Sequence, residues 1–338
     1  MANIAINGFG RIGRLFFRQA FGKKGLNIVA INDLGGAENL AHLLQYDSVY
    51  RRFDKEVSVK GDNLIVGGKE IKLLQEEDPL RLPWRELGVQ IVLESTGVFD
   101  SYEKAKAHVC AGAKRVVITA PSKDEDGTEG KTVLMGVNDG ELEKVVLSSN
   151  ASCTTNAASP IMQILSEKPG ISKAILNTVH GYTATQALVD SPTRGKDVRR
   201  GRAAAQNIVP STTGAASAVS RALPDFEGKF DGIAMRVPVI AGSLADITFI
   251  SKKKTSALEV NTILKKAAKA ARWDGIFTVM EDPIVSSDIV GEPYGAIADL
   301  SFTKVVDGNL VKVLSWYDNE WGYVSTLMKH VDRVISLV

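Results

Sequence analysis

The residues best suited to covalent chemistry lie in the stretch Ser149–Asn156, whose centre is Cys153, one of only two cysteines in the chain. A strand predicted over Lys144–Ser148 leads into this stretch, and the apolar spacing through Ile161 and Ile164 predicts that a helix leaves it. Cys153 is therefore expected at or beside a helix N-terminus, a setting that lowers the pKa of a thiol. The alternative is a buried cysteine that packs as a small hydrophobe beside helix-capping Ser and Thr residues.

A base for such a thiol is sought among the four histidines of the chain. His42, His108 and His330 fall within helical patterns, whereas His180 closes a predicted strand and precedes Gly181. A histidine at a strand end can present its imidazole to a cleft and accept a proton from Cys153. Taken by itself, His180 can equally be a structural histidine.

The second half of the chain also carries groups that suit an anion. Arg236 lies inside the apolar strand Met235–Pro238, where an unpaired charge is costly, so it needs a carboxylate or a substrate phosphate. The polar loop 190–202 holds four arginines and one lysine, and alone it could be a solvated surface or a nucleic-acid patch. The nearly uncharged segment 203–207 follows it, which predicts that the loop folds inward. Ser211–Ala216 then opens a helix, a setting suited to anions.

A glycine-rich pattern follows the first predicted strand of the chain. Gly8, Gly10 and Gly13 lead into a helix, and Asp33 ends the next strand, 20 residues after the last glycine. Gly8 permits a tight turn, Gly10 lets a pyrophosphate approach the backbone, and Gly13 lets the helix pack closely on the strand. Asp33 would accept hydrogen bonds from ribose hydroxyls and repel a 2′-phosphate, which predicts NAD rather than NADP. The alternative is a glycine-rich turn in another α/β protein, with Asp33 as a helix cap.

The elements that position these residues change character along the chain. Up to about residue 151 the pattern predicts a Rossmann-type α/β domain with parallel strands, interrupted by an antiparallel excursion over 57–73. From about residue 172 alternating strands predict an α+β domain with a largely antiparallel sheet. The apolar spacing after Trp316 predicts a C-terminal helix that packs on the first domain. We therefore predict a dinucleotide-binding domain over 1–151, joined by the helix 319–338, and a catalytic domain over 152–318.

Composition excludes several classes of protein. The chain has 338 residues, 44% of them hydrophobic, and a formal net charge of +2, so its charge does not favour nucleic acid or a membrane surface as the main partner. Two cysteines make no disulfide framework, and no apolar run reaches the length of a membrane span. These features predict a cytoplasmic protein, and no metal site is predicted.

Several stretches, taken together and in order, closely resemble the phosphorylating glyceraldehyde-3-phosphate dehydrogenases over essentially the whole chain. The matching stretches are Asn7–Arg14, Glu94–Phe99, Ser149–Asn156, His180–Gln186, Arg202–Gly214, Met235–Pro238 and Trp316–Tyr323. The resemblance implies NAD-dependent oxidation of glyceraldehyde 3-phosphate by way of a cysteine thioester, which inorganic phosphate converts to 1,3-bisphosphoglycerate in glycolysis or a related pathway. It also implies a homotetramer, with the loop 190–202 reaching across a subunit interface.

The resemblance assigns roles to individual residues. It implies Cys153 as the nucleophile and His180 as its base. The residues implied to hold the two phosphates are Ser152, Thr154, Thr183, Arg202, Thr213, Gly214 and Arg236. The residues implied to contact NAD, besides the three glycines, are Arg11, Ile12, Asp33, Ser122 and Asn319.

Two positions depart from the family pattern. Glu77 stands where the family commonly has a basic residue before Asp78-Pro79, and the segment 191–196 differs from the commonest NAD-specific versions, which leaves some use of NADP open.

One alternative function is an erythrose-4-phosphate dehydrogenase of the same fold, which hydrolyses its thioester, although Thr212–Ala216 resembles the phosphate-using branch. The other is a nucleotide-binding or nucleic-acid-binding protein whose thiol is idle, which the joint presence of Cys153, His180 and Arg236 disfavours.

Overall fold

The structure is a computed structural model that describes residues 1–193, 195 and 197–338. Arg194 and Lys196, two basic residues of the predicted polar loop, lie outside the described residues. The chain divides into two compact units. Unit 1 comprises Met1–Val133, Asp139–Ala151 and Leu327–Val338, and unit 2 comprises Leu134–Asn138 and Ser152–Thr326.

Unit 1 is an α/β structure. Its helices are α1 (Arg11–Ala20), α2 (Ala37–Gln45) and α3 (Tyr102–Cys110). Its strands are β1 (Ala2–Asn7), β2 (Leu26–Asn32), β3 (Tyr46–Asp47), β4 (Arg51–Arg52), β5 (Val57–Lys60), β6 (Asn63–Val66), β7 (Lys69–Leu74), β8 (Ile91–Glu94), β9 (Arg115–Ile118), β10 (Gly130–Thr132) and β11 (Leu147–Ser149).

Nine of these strands form one sheet in the order β10-β11-β9-β8-β1-β2-β7-β6-β5. The pairs from β10 to β7 are parallel, whereas β6 pairs antiparallel with both β5 and β7. The antiparallel excursion predicted over 57–73 is therefore present at one edge. Strand β1 lies between β2 and β8, so the chain order reverses there, and the carboxyl ends of β1 and β8 flank a topological switch point.

The glycine-rich turn fits tightly at this switch point. Gly8 has a φ of +94°, and a Cβ on it would lie 2.5 Å from the backbone nitrogen of Thr96. A Cβ on Gly13 would lie 2.2 Å from the carbonyl oxygen of Gly8, so helix α1 packs directly against the turn. Side chains at these two positions would separate the turn from its neighbours.

Unit 2 has an α+β structure. Its helices are α4 (Cys153–Glu167), α5 (Ala215–Ala222) and α6 (Ala257–Ala268). Its strands are β12 (Ile171–Gly181), β13 (Val209–Thr212), β14 (Phe230–Val237), β15 (Ser243–Ser251), β16 (Phe277–Met280), β17 (Ala296–Val306) and β18 (Leu310–Tyr317). The last helix, α7 (Trp321–Ile335), has residues in both units.

In the described part of unit 2, seven strands form a sheet in the order β13-β14-β12-β15-β18-β17-β16. Only the pairs β12–β14 and β16–β17 in this sheet are parallel. Helices α4, α5 and α6 pack on the sheet, and the residues that alternate toward them, such as Leu176 and Ile247, are buried. The predicted fold class, a Rossmann-type α/β domain followed by an α+β domain with a largely antiparallel sheet, is confirmed.

Element boundaries differ from the predicted ones by a few residues. The strand predicted over Lys144–Ser148 runs over Leu147–Ser149, because residues 139–143 form a 3₁₀ turn that delays its start. The C-terminal helix predicted from residue 319 begins at Trp321. Boundary residues are weakly determined by apolar spacing, since helix and strand ends are set by caps and turns.

Candidate active site

Cys153 is the first residue of α4, and Ser152 is the N-cap. The Oγ of Ser152 accepts a hydrogen bond of 3.1 Å from the backbone N–H of Thr155, which satisfies one donor of the first turn. The helix therefore begins with its positive end at the thiol, as the sequence predicts.

His180 lies beside the thiol. Its Nε2 is 3.3 Å from the Sγ of Cys153, and its Nδ1 is 2.6 Å from the carbonyl oxygen of Gly181. The residue is only 2% exposed. A proton on Nδ1 that is donated to the Gly181 carbonyl leaves Nε2 with a lone pair toward the sulfur. This tautomer has the arrangement that a general base for the thiol requires.

Arg236 is the third member of the cluster. It lies on β14 directly opposite His180 of β12, and its Nη1 is 2.7 Å from Nδ1 of His180 and 3.2 Å from the Gly181 carbonyl oxygen. Arg236 can only donate, so in the tautomer with the proton on Nδ1 the guanidinium donates to the Gly181 carbonyl, and its 2.7 Å approach to Nδ1 brings two donors together. Among the described residues no carboxylate pairs with Arg236, so its charge is available to an anion.

Burial and positive charge decide the protonation of this cluster. Burial, reinforced by the charge of Arg236, lowers the pKa of His180 to about 3, so the imidazole is neutral. Burial raises the pKa of the Cys153 thiol, while Arg236 and a hydrogen bond from Thr154 oppose that increase. A position at a helix N-terminus by itself predicts a lowered thiol pKa, and desolvation by the packing around Cys153 outweighs that effect.

The hydroxyl residues predicted to bind phosphate lie in different settings. The hydroxyl of Ser152 bonds the Thr155 side chain at 2.7 Å, and that of Thr183 bonds Thr185 at 3.0 Å. Thr213 accepts from the Ala215 N–H at 3.2 Å, beside Gly214, the N-cap of α5. Thr154 is 4% exposed, and its hydroxyl is 2.9 Å from that of Tyr317.

Two arginines of the polar loop, Arg200 and Arg202, are placed differently. Arg202 donates to Asp190 at 2.8 Å, and its side chain is 63% exposed. Arg200 donates to Ser211 at 2.9 Å, and its charge contributes to lowering the pKa of both His180 and Arg236. Among the described residues of this loop, Arg200 therefore places its charge near His180 and Arg236, whereas the sequence pattern marked it only as a member of the polar loop.

The glycine-rich turn of unit 1 presents an open helix end. Gly10 is the N-cap of α1, makes no side-chain cap, and a Cβ on it would meet no heavy atom within 4 Å. Asp33 is held in place by the backbone N–H groups of Phe9 at 2.6 Å and Gly35 at 2.8 Å. An open, uncapped helix end beside a fixed carboxylate fits the pyrophosphate and ribose of a dinucleotide.

The other predicted NAD contacts are spread over both units. In unit 1, Arg11 pairs with Asp47 at the start of α1, Ile12 is half-buried, and Ser122 is buried after β9. In unit 2, Asn319 is 5% exposed, and its Oδ1 accepts from the N–H of Gly242 at 3.1 Å and the hydroxyl of Ser243 at 2.9 Å. Nδ2 is then the atom of Asn319 that can donate to a ligand.

The remaining histidines lie elsewhere in the fold. His108 is fully buried in unit 1, where it bonds Trp84 at 3.0 Å and Glu94 at 3.0 Å. His330 is buried in α7 and bonds Ser148 at 2.8 Å. His42 lies on α2. Among the described residues no helix is long and apolar enough to cross a membrane.

Comparison with known proteins agrees with this arrangement. The model of the glyceraldehyde 3-phosphate dehydrogenase C-terminal domain matches residues 152–319, and that of the NAD-binding domain matches residues 2–102. The chain is 49% identical over 340 residues to glyceraldehyde-3-phosphate dehydrogenase of Thermotoga maritima, with 100% of both chains covered. It is 49% identical to that of Clostridium acetobutylicum, with 97% of each chain covered. The chain belongs to the glyceraldehyde-3-phosphate dehydrogenase family.

Membership of the glyceraldehyde-3-phosphate dehydrogenase family assigns the two halves of the chain. The first half carries the NAD-binding domain of this family of NAD-dependent dehydrogenases, so the cofactor is NAD, as the glycine pattern and Asp33 predict. The C-terminal domain contains the close contacts among Cys153, His180 and Arg236. The resemblance inferred from the sequence is therefore confirmed.

Proposed function

We propose that this protein catalyses the NAD-dependent oxidative phosphorylation of D-glyceraldehyde 3-phosphate to 1,3-bisphosphoglycerate through a thioester on Cys153. The observation that supports this most strongly is the 3.3 Å contact between the Cys153 sulfur and Nε2 of His180, at the start of α4 and beside Arg236. A thiol at a helix N-terminus, a neutral imidazole, and a guanidinium that no carboxylate among the described residues pairs with are the parts that aldehyde oxidation through a thioester needs.

The first half of the reaction forms the thioester. The sulfur of Cys153 attacks the aldehyde carbon while Nε2 of His180 accepts the thiol proton, giving a hemithioacetal. Its oxyanion is stabilised by the backbone N–H of Cys153 and by His180. NAD, when bound, would supply the hydride acceptor for this carbon. His180 shares the proton that it took from the thiol with the oxyanion, and it keeps that proton as the hydride leaves and the carbon–oxygen bond becomes the thioester carbonyl.

The second half transfers the acyl group to phosphate. A phosphate oxygen attacks the thioester carbon, the carbon–sulfur bond breaks, and the sulfur of Cys153 leaves as a thiolate that the N-terminus of α4 stabilises. The product is an acyl phosphate, and the oxidation energy stays in the thioester until that step.

Two anions must be bound, the phosphate of the substrate and the attacking phosphate. We assign these two sites to side chains and backbone N–H groups of Ser152, Thr154, Thr183, Arg202, Thr213, Gly214 and Arg236. We add Arg200 to this set. The charge that Arg200 exerts on His180 and Arg236 supports this addition. Guanidinium groups bind phosphate strongly because both partners are charged.

NAD is proposed to lie on the switch point of unit 1. Gly8, Gly10 and Gly13 with the backbone of Arg11 and Ile12 would hold the pyrophosphate, and Asp33 would hold the ribose. Ser122, after β9, would make a further contact with NAD. Asn319 would donate to the carboxamide, because its Oδ1 is already occupied. We retain the functional division into an NAD-binding domain over 1–151 with the helix 319–338 and a catalytic domain over 152–318.

A homotetramer is proposed, and the open face of the unit 2 sheet supports self-association. On the side of this sheet that alternates away from the helices, Ile175 is 59% exposed, Ile233 47% and Leu310 39%. Asn177 on the same face has a buried Oδ1 without a partner among the described residues. Such a face is typical of subunit contacts.

The cytoplasm stays the proposed location, because a protein with two cysteines and a reactive thiol suits a reducing compartment.

Reduction of NAD by purified protein tests the proposal. We expect NADH to form continuously from glyceraldehyde 3-phosphate only when inorganic phosphate is present, and NADP to be used far less well. Steady turnover that is independent of phosphate would instead indicate hydrolysis of the thioester, as in an erythrose-4-phosphate dehydrogenase. If no NADH formed with or without phosphate, the proposed function would be refuted.

A further inference from the structure

The hydroxyl of Tyr317 lies at a junction between the elements that carry the nucleophile and the base. Tyr317 ends strand β18 and is 1% exposed. Its oxygen is 2.9 Å from the hydroxyl oxygen of Thr154 and 2.7 Å from that of Thr178. The three hydroxyls therefore form a buried chain within unit 2.

The two threonines are neighbours of the reacting side chains. Thr154 follows Cys153 in the first turn of α4, and Thr178 precedes His180 by two residues in β12. Because strand side chains alternate, Thr178 and His180 project from the same face of the sheet. The hydroxyl of Tyr317 thus connects the helix end that carries the sulfur to the strand end that carries the imidazole.

The ring of Tyr317 adds a second contact to the base. Its centroid is 5.9 Å from that of His180, with the two planes at 76°. This edge-to-face contact limits rotation of the imidazole toward or away from the sulfur. Proton transfer over the 3.3 Å contact between Sγ and Nε2 requires that distance to be held to about half an ångström. The hydroxyl contacts and the ring contact of Tyr317 both restrain it.

We propose that Tyr317 is a positioning residue for the Cys153–His180 pair, acting through its hydroxyl on Thr154 and Thr178 and through its ring on His180. It does not touch the reacting carbon or supply a proton. The inference rests on the proposed roles of Cys153 and His180. It also gives the hydroxyl of Thr154 a role as a connector, in addition to the phosphate contact assigned to Thr154 above.

Alkylation of the thiol tests this proposal without requiring the dehydrogenase reaction. Cys110 is an exposed thiol, so the measurement is made in a Cys110→Ser background, where iodoacetamide reports on Cys153 alone. In Tyr317→Phe the sulfur and imidazole are expected to separate on average, which removes the base from the thiol. We expect the alkylation rate at neutral pH to fall about fivefold, which corresponds to the loss of one hydrogen bond of ordinary net strength. The midpoint of the alkylation rate as a function of pH is expected to move to higher pH.

Three further variants separate positioning from general stability. Tyr102→Phe removes another buried phenol hydroxyl, one that donates to Asp126 at 3.0 Å in unit 1, and should leave the alkylation profile unchanged. Thr178→Val should shift the profile in the same direction as Tyr317→Phe, and Thr178→Ser should restore it. An unchanged profile in Tyr317→Phe would overturn the proposal. If that variant does not fold, an unchanged profile in Thr178→Val would overturn it instead.

The kinetic constants provide an independent readout. In Tyr317→Phe we expect kcat to fall by about the same factor as the alkylation rate, while the KM for NAD stays within about twofold because unit 1 is unaltered. A rise in the KM for NAD with no change in alkylation would contradict positioning of the thiol. A protein that lacks the proposed activity would still report the alkylation profile, so failure of the two proposals is distinguishable.

Discussion

Arg200 and Arg202 are two residues apart on the polar loop, and their side chains have different partners. Arg200 donates to Ser211, and its charge lowers the pKa of His180 and Arg236, whereas Arg202 forms an exposed ion pair with Asp190. Exposed ion pairs contribute little, because water and salt screen them. Of the two arginines, Arg200 is therefore expected to contribute more to anion binding than Arg202.

Replacing each arginine with leucine tests this assignment. Arg200→Leu should raise the KM for glyceraldehyde 3-phosphate or for phosphate by about tenfold or more, the scale of a lost charged hydrogen bond, and should raise the pKa of His180 because a nearby positive charge is gone. Arg202→Leu should change both KM values by about twofold at most. Steady-state kinetics of the two variants decide the matter, and the opposite ranking would return the role to Arg202.

At the level of single residues, the sequence predicts what local pattern determines. Cys153 stands out through its small hydroxylated neighbours, and His180 through its position at a strand end. Arg236 stands out as a charge within an apolar run. The resemblance assigned phosphate binding to Arg202 and not to Arg200, and the loop sequence itself gives no side-chain direction because an irregular loop has no periodicity. The raised pKa of Cys153 was also missed, since desolvation depends on packing from distant parts of the chain.

At the level of elements, helix α4 and strand β12 were predicted from apolar spacing and alternation, because both features follow directly from backbone geometry. The pairing of β12 with β14, which places His180 opposite Arg236, could not be predicted. Those strands are parallel neighbours in an otherwise largely antiparallel sheet, and 48 residues lie between the end of β12 and the start of β14. Strand register between distant segments depends on tertiary packing, which a single sequence does not reveal.

The open face of the unit 2 sheet gives a prediction about assembly. Ile175→Lys places a charge among apolar side chains on that face, so we expect the variant to fold but to form smaller oligomers than the parent protein. Leu258→Lys, on helix α6, makes the same change at a position that is 78% exposed and lies outside the sheet. Light scattering after size exclusion measures the mass, and an unchanged tetramer in Ile175→Lys would contradict the proposed contact.

At the level of the whole molecule, the chain consists of a dinucleotide-binding unit and a unit that holds the reacting side chains. The change from continuous apolar strands to alternating strands revealed this organisation in the sequence, because strands buried on both faces differ in composition from half-buried ones. The sequence did not indicate every boundary between the two units. Residues 134–138 belong to unit 2, although they lie within the first half of the chain. That excursion depends on contacts such as the hydrogen bond from Arg272 to Gly136 at 2.5 Å, which no local pattern indicates.

The central claim is that the substrate is oxidised while it is covalently attached to Cys153. The most direct test mixes the protein with NAD and glyceraldehyde 3-phosphate in the absence of phosphate, followed by mass spectrometry of the intact protein and its peptides. We expect about one phosphoglyceroyl group per chain on Cys153, formed together with an equal amount of NADH and removed when phosphate is added. Cys110→Ser should behave as the parent, and Cys153→Ser should form neither product. A phosphoglyceroyl group on Cys110, or NADH formation without any covalent product, would contradict the account.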